Sequence, residues 1–110
     1  MSGAEERSNS PAFVPPGFLR LESIVARECG VPLEEMRVPG RFQERVEARF
    51  ILWYLGSTLL QYSAARMGRF YEKDHTTVLN GIAQVRASEE LLERAIGIGT
   101  RCKNELHGLL

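Results

Sequence analysis

Residues 73–79 read KDHTTVL. An acid, an imidazole and two hydroxyls fill the consecutive positions Asp74, His75, Thr76 and Thr77, and the chain turns apolar at Val78. Asp74 suits a helix N-cap, because its carboxylate accepts a backbone N–H two or three residues on and its charge favours the positive helix end. Capping alone leaves His75, Thr76 and Thr77 unexplained, since all three are mediocre helix formers. A zinc site needs three or four placed donors, and neither His75 nor His107 has a second ligand four residues on. Neighbouring residues on a helix point apart, so these side chains cannot assemble a nucleophilic triad. No glycine-rich strand-to-helix phosphate loop occurs either. The chain is therefore read as a non-enzyme with no catalytic residue, metal or cofactor. Base reading accounts for all four positions. In a DNA major groove a carboxylate accepts from cytosine's amino group, threonine offers a hydroxyl and a methyl, and imidazole donates or accepts.

Working outward, HTTVLNGIAQVRA continues as a helix with Val78, Ile82 and Val85 on its buried side. Thr77, Asn80 and Gln84 form a polar stripe opposite, flanked by Gly81. Just upstream, Ser63 caps a short helix, AARMGRF, whose Met67 and Phe70 are expected to pack against its successor. Short helix, tight connector and second helix together predict a helix-turn-helix. Further upstream, residues 41–61 read as one long central helix. Its second half, FILWYLGSTLL, is apolar nearly all round, with Trp53 and Tyr54 in the core and Gly56 admitting a neighbouring helix. Arg41, Arg45 and Arg49 recur every four residues along it, with Arg37 just before. Beside a reading helix, such a row is expected to clamp phosphates, and Arg66, Arg69 and Lys73 add charge near the helix pair. FLRLESIVAREC forms an opening helix stopped by Gly30, VPLEEMR one helical turn, and Pro39 and Gly40 a break. Ser88 caps a last helix, EELLERAIGIGTRCKNEL, which Gly97 and Gly99 weaken or bend. The fold class is all-α, a bundle of about five to six helices.

The 110 residues suffice for one domain, read as a flexible arm over 1–17 and a DNA-binding domain over 18–110. The formal charge is zero, but residues 37–77 carry seven basic and four acidic side chains, against three and six over residues 1–36. Cys29 and Cys102 match no metal spacing and read as free thiols of a reducing cytoplasm. The amino terminus lacks a signal-peptide pattern, and the longest apolar run, FILWYL, is far short of the ~20 residues that cross a bilayer. A cytoplasmic, nucleoid-associated protein with no membrane or small-molecule partner is expected.

DHTTVL after a short helix containing Met67-Gly68 resembles the C-terminal DNA-binding domain of the bacterial chromosomal replication initiator, DnaA. The likeness extends through IVARECGVPLEEMR and VEARFILWYL, over residues 24–87. The resemblance implies a helical bundle with a helix-turn-helix that binds a short asymmetric duplex site, the DnaA box, as a monomer. It places Asp74, His75, Thr76 and Thr77 on bases in the major groove and Arg49 in the neighbouring minor groove. Lys73 stands where the family commonly has arginine, and Ser63 at a place of phosphate contact. Arg41, Arg45 and Arg69 complete the expected backbone contacts. The loop before the long helix is thinner in basic residues than the family's, and FYEK replaces a glycine-containing turn. No Walker motif is present, so no ATPase activity is expected. The implied function is sequence-specific binding of double-stranded DNA at DnaA-box-like sites, regulating replication initiation or transcription, with another replication or regulatory protein as a further partner. The alternative is a protein-interaction module that keeps the fold without useful DNA affinity.

Overall fold

The computed structural model describes residues 13–38 and 42–106. The arm before residue 13, the Pro39-Gly40 break, Arg41 and the tail with His107 lie outside the described residues. Five helices run in order: α1 (Pro16–Cys29), α2 (Gln43–Leu59), α3 (Ala64–Tyr71), α4 (His75–Ala87) and α5 (Glu89–Leu106). A 3₁₀ turn, Leu33–Glu35, stands between α1 and α2, and no strand occurs among the described residues.

Helix α1 opens two residues earlier than the apolar pattern suggests, at Pro16. Proline suits that first position, because its φ is already helical and its missing N–H would be unsatisfied there anyway. Gly30 ends the helix with φ 71° and returns its N–H to the carbonyls of Ala26 and Arg27. The expected turn in VPLEEMR is the 3₁₀ turn, and it folds Met36 fully into the core.

Helix α2 is the central element, packed by α1, α4, α5 and α3. Its Ile51, Leu52, Trp53 and Leu55 are all nearly solvent-free, as an all-round apolar helix requires. A Cβ on Gly56 would stand 2.6 Å from Met67 Sδ and 3.3 Å from Phe18 Cε1, so this glycine is where α1 and α3 approach α2. Gly81 makes the matching approach from α4. A Cβ there would lie 2.7 Å from both Phe50 Cδ1 and Trp53 Cε3. Gly81, which flanks the polar stripe, is itself buried at the α2–α4 crossing. Helix α5 continues without interruption through Gly97 and Gly99. Gly99 is buried 3.1 Å from Leu55 Cδ2 by the same measure, so its role is close packing on α2.

The turn between α3 and α4 is built on a left-handed residue. Glu72 has φ 55°, its N–H faces Arg69 O, and Lys73 N–H closes the turn on Gly68 O at 2.8 Å. That position usually takes glycine, because a side chain there crowds the backbone. Glu72→Gly is expected to stabilise the fold by about 0.5 kcal/mol, a rise of roughly 2–4 °C in Tm. A fall in Tm by thermal unfolding would show that the Glu72 side chain contributes more than its backbone conformation costs.

Candidate nucleic-acid interface

The amino end of α4 is organised by Asp74. Its Oδ1 accepts the Thr77 backbone N–H at 3.0 Å and stands 3.4 Å from the Thr77 hydroxyl. The Thr77 N–H bond holds the Asp74 carboxyl below its ordinary pKa, so it stays an ionised acceptor. Asp74, His75, Thr76 and Thr77 are all exposed, while Val78, Ile82 and Val85 are buried beneath them. Asn80 and Gln84 extend the exposed side. The segment is thus a cap and an open polar surface at once, with Val78, Ile82 and Val85 buried where α4 packs on α2, α3 and α5 and Leu79 left exposed.

Ser63 does for α3 what Asp74 does for α4, its Oγ accepting the Arg66 N–H at 3.1 Å. Met67 is fully buried and Phe70 nearly so, as expected for the corner of the helix pair. Gly68 lies against the next turn so closely that a Cβ would collide with the Lys73 carbonyl oxygen.

Most of the described cations fall into two groups. Arg20 and Arg27 pair with Glu105, Arg37 with Glu22, Arg45 with Glu35, Arg94 with Glu47 and Arg101 with Glu28. Arg66, Arg69, Lys73, Arg86 and Lys103 carry no carboxylate partner among the described residues; the first four belong to the helix pair or its connector, and Lys103 stands near the end of α5. Overall neutrality therefore conceals uncompensated charge around α3 and α4.

The expected arginine row is not uniformly outward. Arg45 is partly exposed, paired with Glu35 and stacked over the Phe42 ring at 4.6 Å. Arg49 is only 8% exposed, and its Nη1 reaches the carbonyls of Val38 at 3.3 Å and Met36 at 3.5 Å. Burial lowers its pKa, with Arg45 adding to the effect. The reason is geometric: α2 is enclosed on several sides, and four residues beyond Arg45 the helix has already passed under the Met36 segment. In this conformation Arg49 holds the base of the loop before α2 and does not project from it.

A second anchor of that loop escaped the sequence reading. Glu22 is 4% exposed, and its carboxylate takes Arg37 Nε at 2.9 Å and Nη2 at 3.0 Å. The Tyr71 hydroxyl donates to the same carboxylate in a short hydrogen bond, and the Arg37 guanidinium lies 5.2 Å over the Tyr71 ring. The triad ties α1, the loop and the last residue of α3 together at the mouth of the turn. Its signal in sequence was an acid, Glu22, set inside the apolar face of Leu21, Ile24 and Val25. Elsewhere, burial raises both thiol pKa values, that of Cys102 to about 11, and both cysteines are free. Among the described residues no helix is long and apolar enough to cross a membrane.

A second helix offering its amino end outward, braced by a shorter first helix, is how helix-turn-helix proteins engage duplex DNA. The molecule is of that DNA-binding class. Residues 20–85 match the family described as bacterial dnaA protein helix-turn-helix. Similar proteins include the chromosomal replication initiator protein DnaA of Rickettsia canadensis, 39% identical over 77 residues, covering 69% of this chain and 16% of the relative. The same-named protein of Rickettsia africae is 35% identical over 91 residues, covering 82% of this chain and 18% of the relative. The chain thus spans under a fifth of these relatives' length. It belongs to the bacterial DnaA helix-turn-helix family.

Proposed function

We propose that this protein binds double-stranded DNA sequence-specifically at DnaA-box-like sites, and thereby regulates replication initiation or transcription without hydrolysing ATP. The observation that carries this reading is the coincidence of two features. The four polar side chains at the start of α4 are open to solvent, and four cations that lack a carboxylate partner among the described residues, Arg66, Arg69, Lys73 and Arg86, stand on the same helix pair or its connector. Asp74, His75, Thr76 and Thr77 would touch base edges. Ser63, Arg69 and Lys73 would hold phosphates, joined by Arg45 and Arg41 from the loop side. Arg45 reaches a phosphate by exchanging Glu35 for it. Arg49 is assigned a positioning role in the free protein, and reaches a minor groove only by releasing the carbonyls of Met36 and Val38.

The interaction-module reading has one observation in its favour, that Arg45 and Arg49 are both engaged within the molecule. Fluorescence anisotropy on a labelled box duplex and a scrambled one, each at two salt concentrations, separates the readings. Wild-type affinity is expected to fall steeply with salt, as counterions released by phosphate contacts return. His75→Ala and Thr76→Ala are each expected to lose ~1–3 kcal/mol of discrimination between the two duplexes. Lys73→Ala is expected to weaken both alike. Equal losses on both duplexes for every variant would remove the base-reading assignment. No binding at low salt would leave the interaction module.

A further inference from the structure

We infer that Arg66 is a further phosphate-contacting residue of this interface, presented by its cation–π contact with Tyr62; this rests on the DNA-binding reading above. The Arg66 guanidinium carbon lies 4.3 Å over the Tyr62 ring centroid and 5.9 Å over that of Phe70. The two rings meet edge-to-face at 6.1 Å and 77°, and so form a two-sided platform. A guanidinium held over a ring by cation–π attraction keeps N–H donors that the ring does not satisfy, and its planar edge suits bidentate contact with an oxyanion. No carboxylate among the described residues takes that edge. The contrast with Arg37 is direct: it too lies over a tyrosine ring, but its edge is filled by Glu22.

The placement selects phosphate over base. Arg66 sits in the first turn of α3, and its own N–H is taken by the Ser63 hydroxyl. In a helix-turn-helix the first helix crosses the sugar-phosphate backbone while the second enters the groove. The two ring contacts also restrain a side chain that is otherwise rich in rotamers, so less entropy is lost when the phosphate contact forms. Tyr62 is therefore a positioning residue for Arg66.

The test is a salt titration of binding, by anisotropy, to box and scrambled duplexes with intact chains whose helicity is checked by circular dichroism. Arg66→Ala is expected to lower affinity about five- to tenfold near 0.1 M salt, equally on both duplexes, and to reduce the slope of log K against log salt by about 0.9. Arg66→Gln, which keeps the stem over the rings, is expected to do the same. Arg66→Lys is expected to restore the slope but only part of the affinity. Unchanged slope and affinity in Arg66→Ala, with wild-type binding intact, would overturn the inference alone. Loss confined to the box duplex would overturn it too, by making Arg66 a base reader. Failure of the wild type to bind either duplex would overturn the DNA-binding reading and this inference with it.

Discussion

Gly68→Ala is expected to destabilise the protein by about 3 kcal/mol, the upper end of what forced overpacking of a close contact costs. The added methyl would be driven into the carbonyl oxygen of Lys73, with the Lys73 and Asp74 carbonyl carbons both only 3.4 Å away. These are backbone atoms in a turn closed by the Lys73 N–H on the Gly68 carbonyl, so no rotamer change relieves the clash. The turn must open, and α4 then shifts against α3. Gly97→Ala supplies the opposite sign. A Cβ there meets nothing nearer than the flexible Arg101 guanidinium at 3.7 Å, so the gain in helix propensity of about 0.5–1 kcal/mol is expected in full. Urea unfolding measures both. A Gly68→Ala protein as stable as wild type would mean that the turn is not packed as described.

Glu22→Ala is expected to cost about 2–3 kcal/mol. Removing one partner of a buried ion pair commonly costs about 3–5 kcal/mol. The lower figure applies here because the Arg37 side chain is 38% exposed and regains water. Tyr71 has no such escape, being 7% exposed, and its hydroxyl loses its acceptor. Glu22→Gln keeps an acceptor for Tyr71 and is expected to cost less than half as much. The same site predicts a pH dependence. Burial, and secondarily the Glu22 carboxylate, push the Tyr71 phenol far above its ordinary range. A raised folded pKa gives stability that is full below the unfolded value of about 10 and declines as pH rises beyond it. Tyr71→Phe is expected to remove the phenol's share of that alkaline decline and leave the part that the buried thiols of Cys29 and Cys102 contribute. Identical alkaline curves for wild type and Tyr71→Phe would contradict the buried placement of the phenol.

The helices were legible because their signals are local. Capping by Ser63, Asp74 and Ser88, apolar spacing in α4 and the all-round apolar second half of α2 are each written in a few adjacent residues. The polar amino end of α4 was legible for the same reason. What the sequence concealed depends on residues far apart. Arg37 and Tyr71 stand 15 and 49 positions from the Glu22 carboxylate they share, and no periodic pattern links the three. The four-residue spacing of Arg41, Arg45 and Arg49 gives a common helix side but not what covers it, and the Met36 segment covers Arg49. For Gly81 the spacing gives a place beside the open side of α4 but not the crossing with Trp53 that needs a residue without a side chain there. Helix periodicity fixes direction around an axis; packing partners fix burial.

The most direct test of base reading by α4 is selection of bound duplexes from a random pool by the intact chain at low salt. A short asymmetric DnaA-box-like sequence is expected to emerge, and to lose definition when Thr76→Ala replaces the wild type. A bound pool with the same base composition and sequence content as the input, for both proteins, would contradict the account.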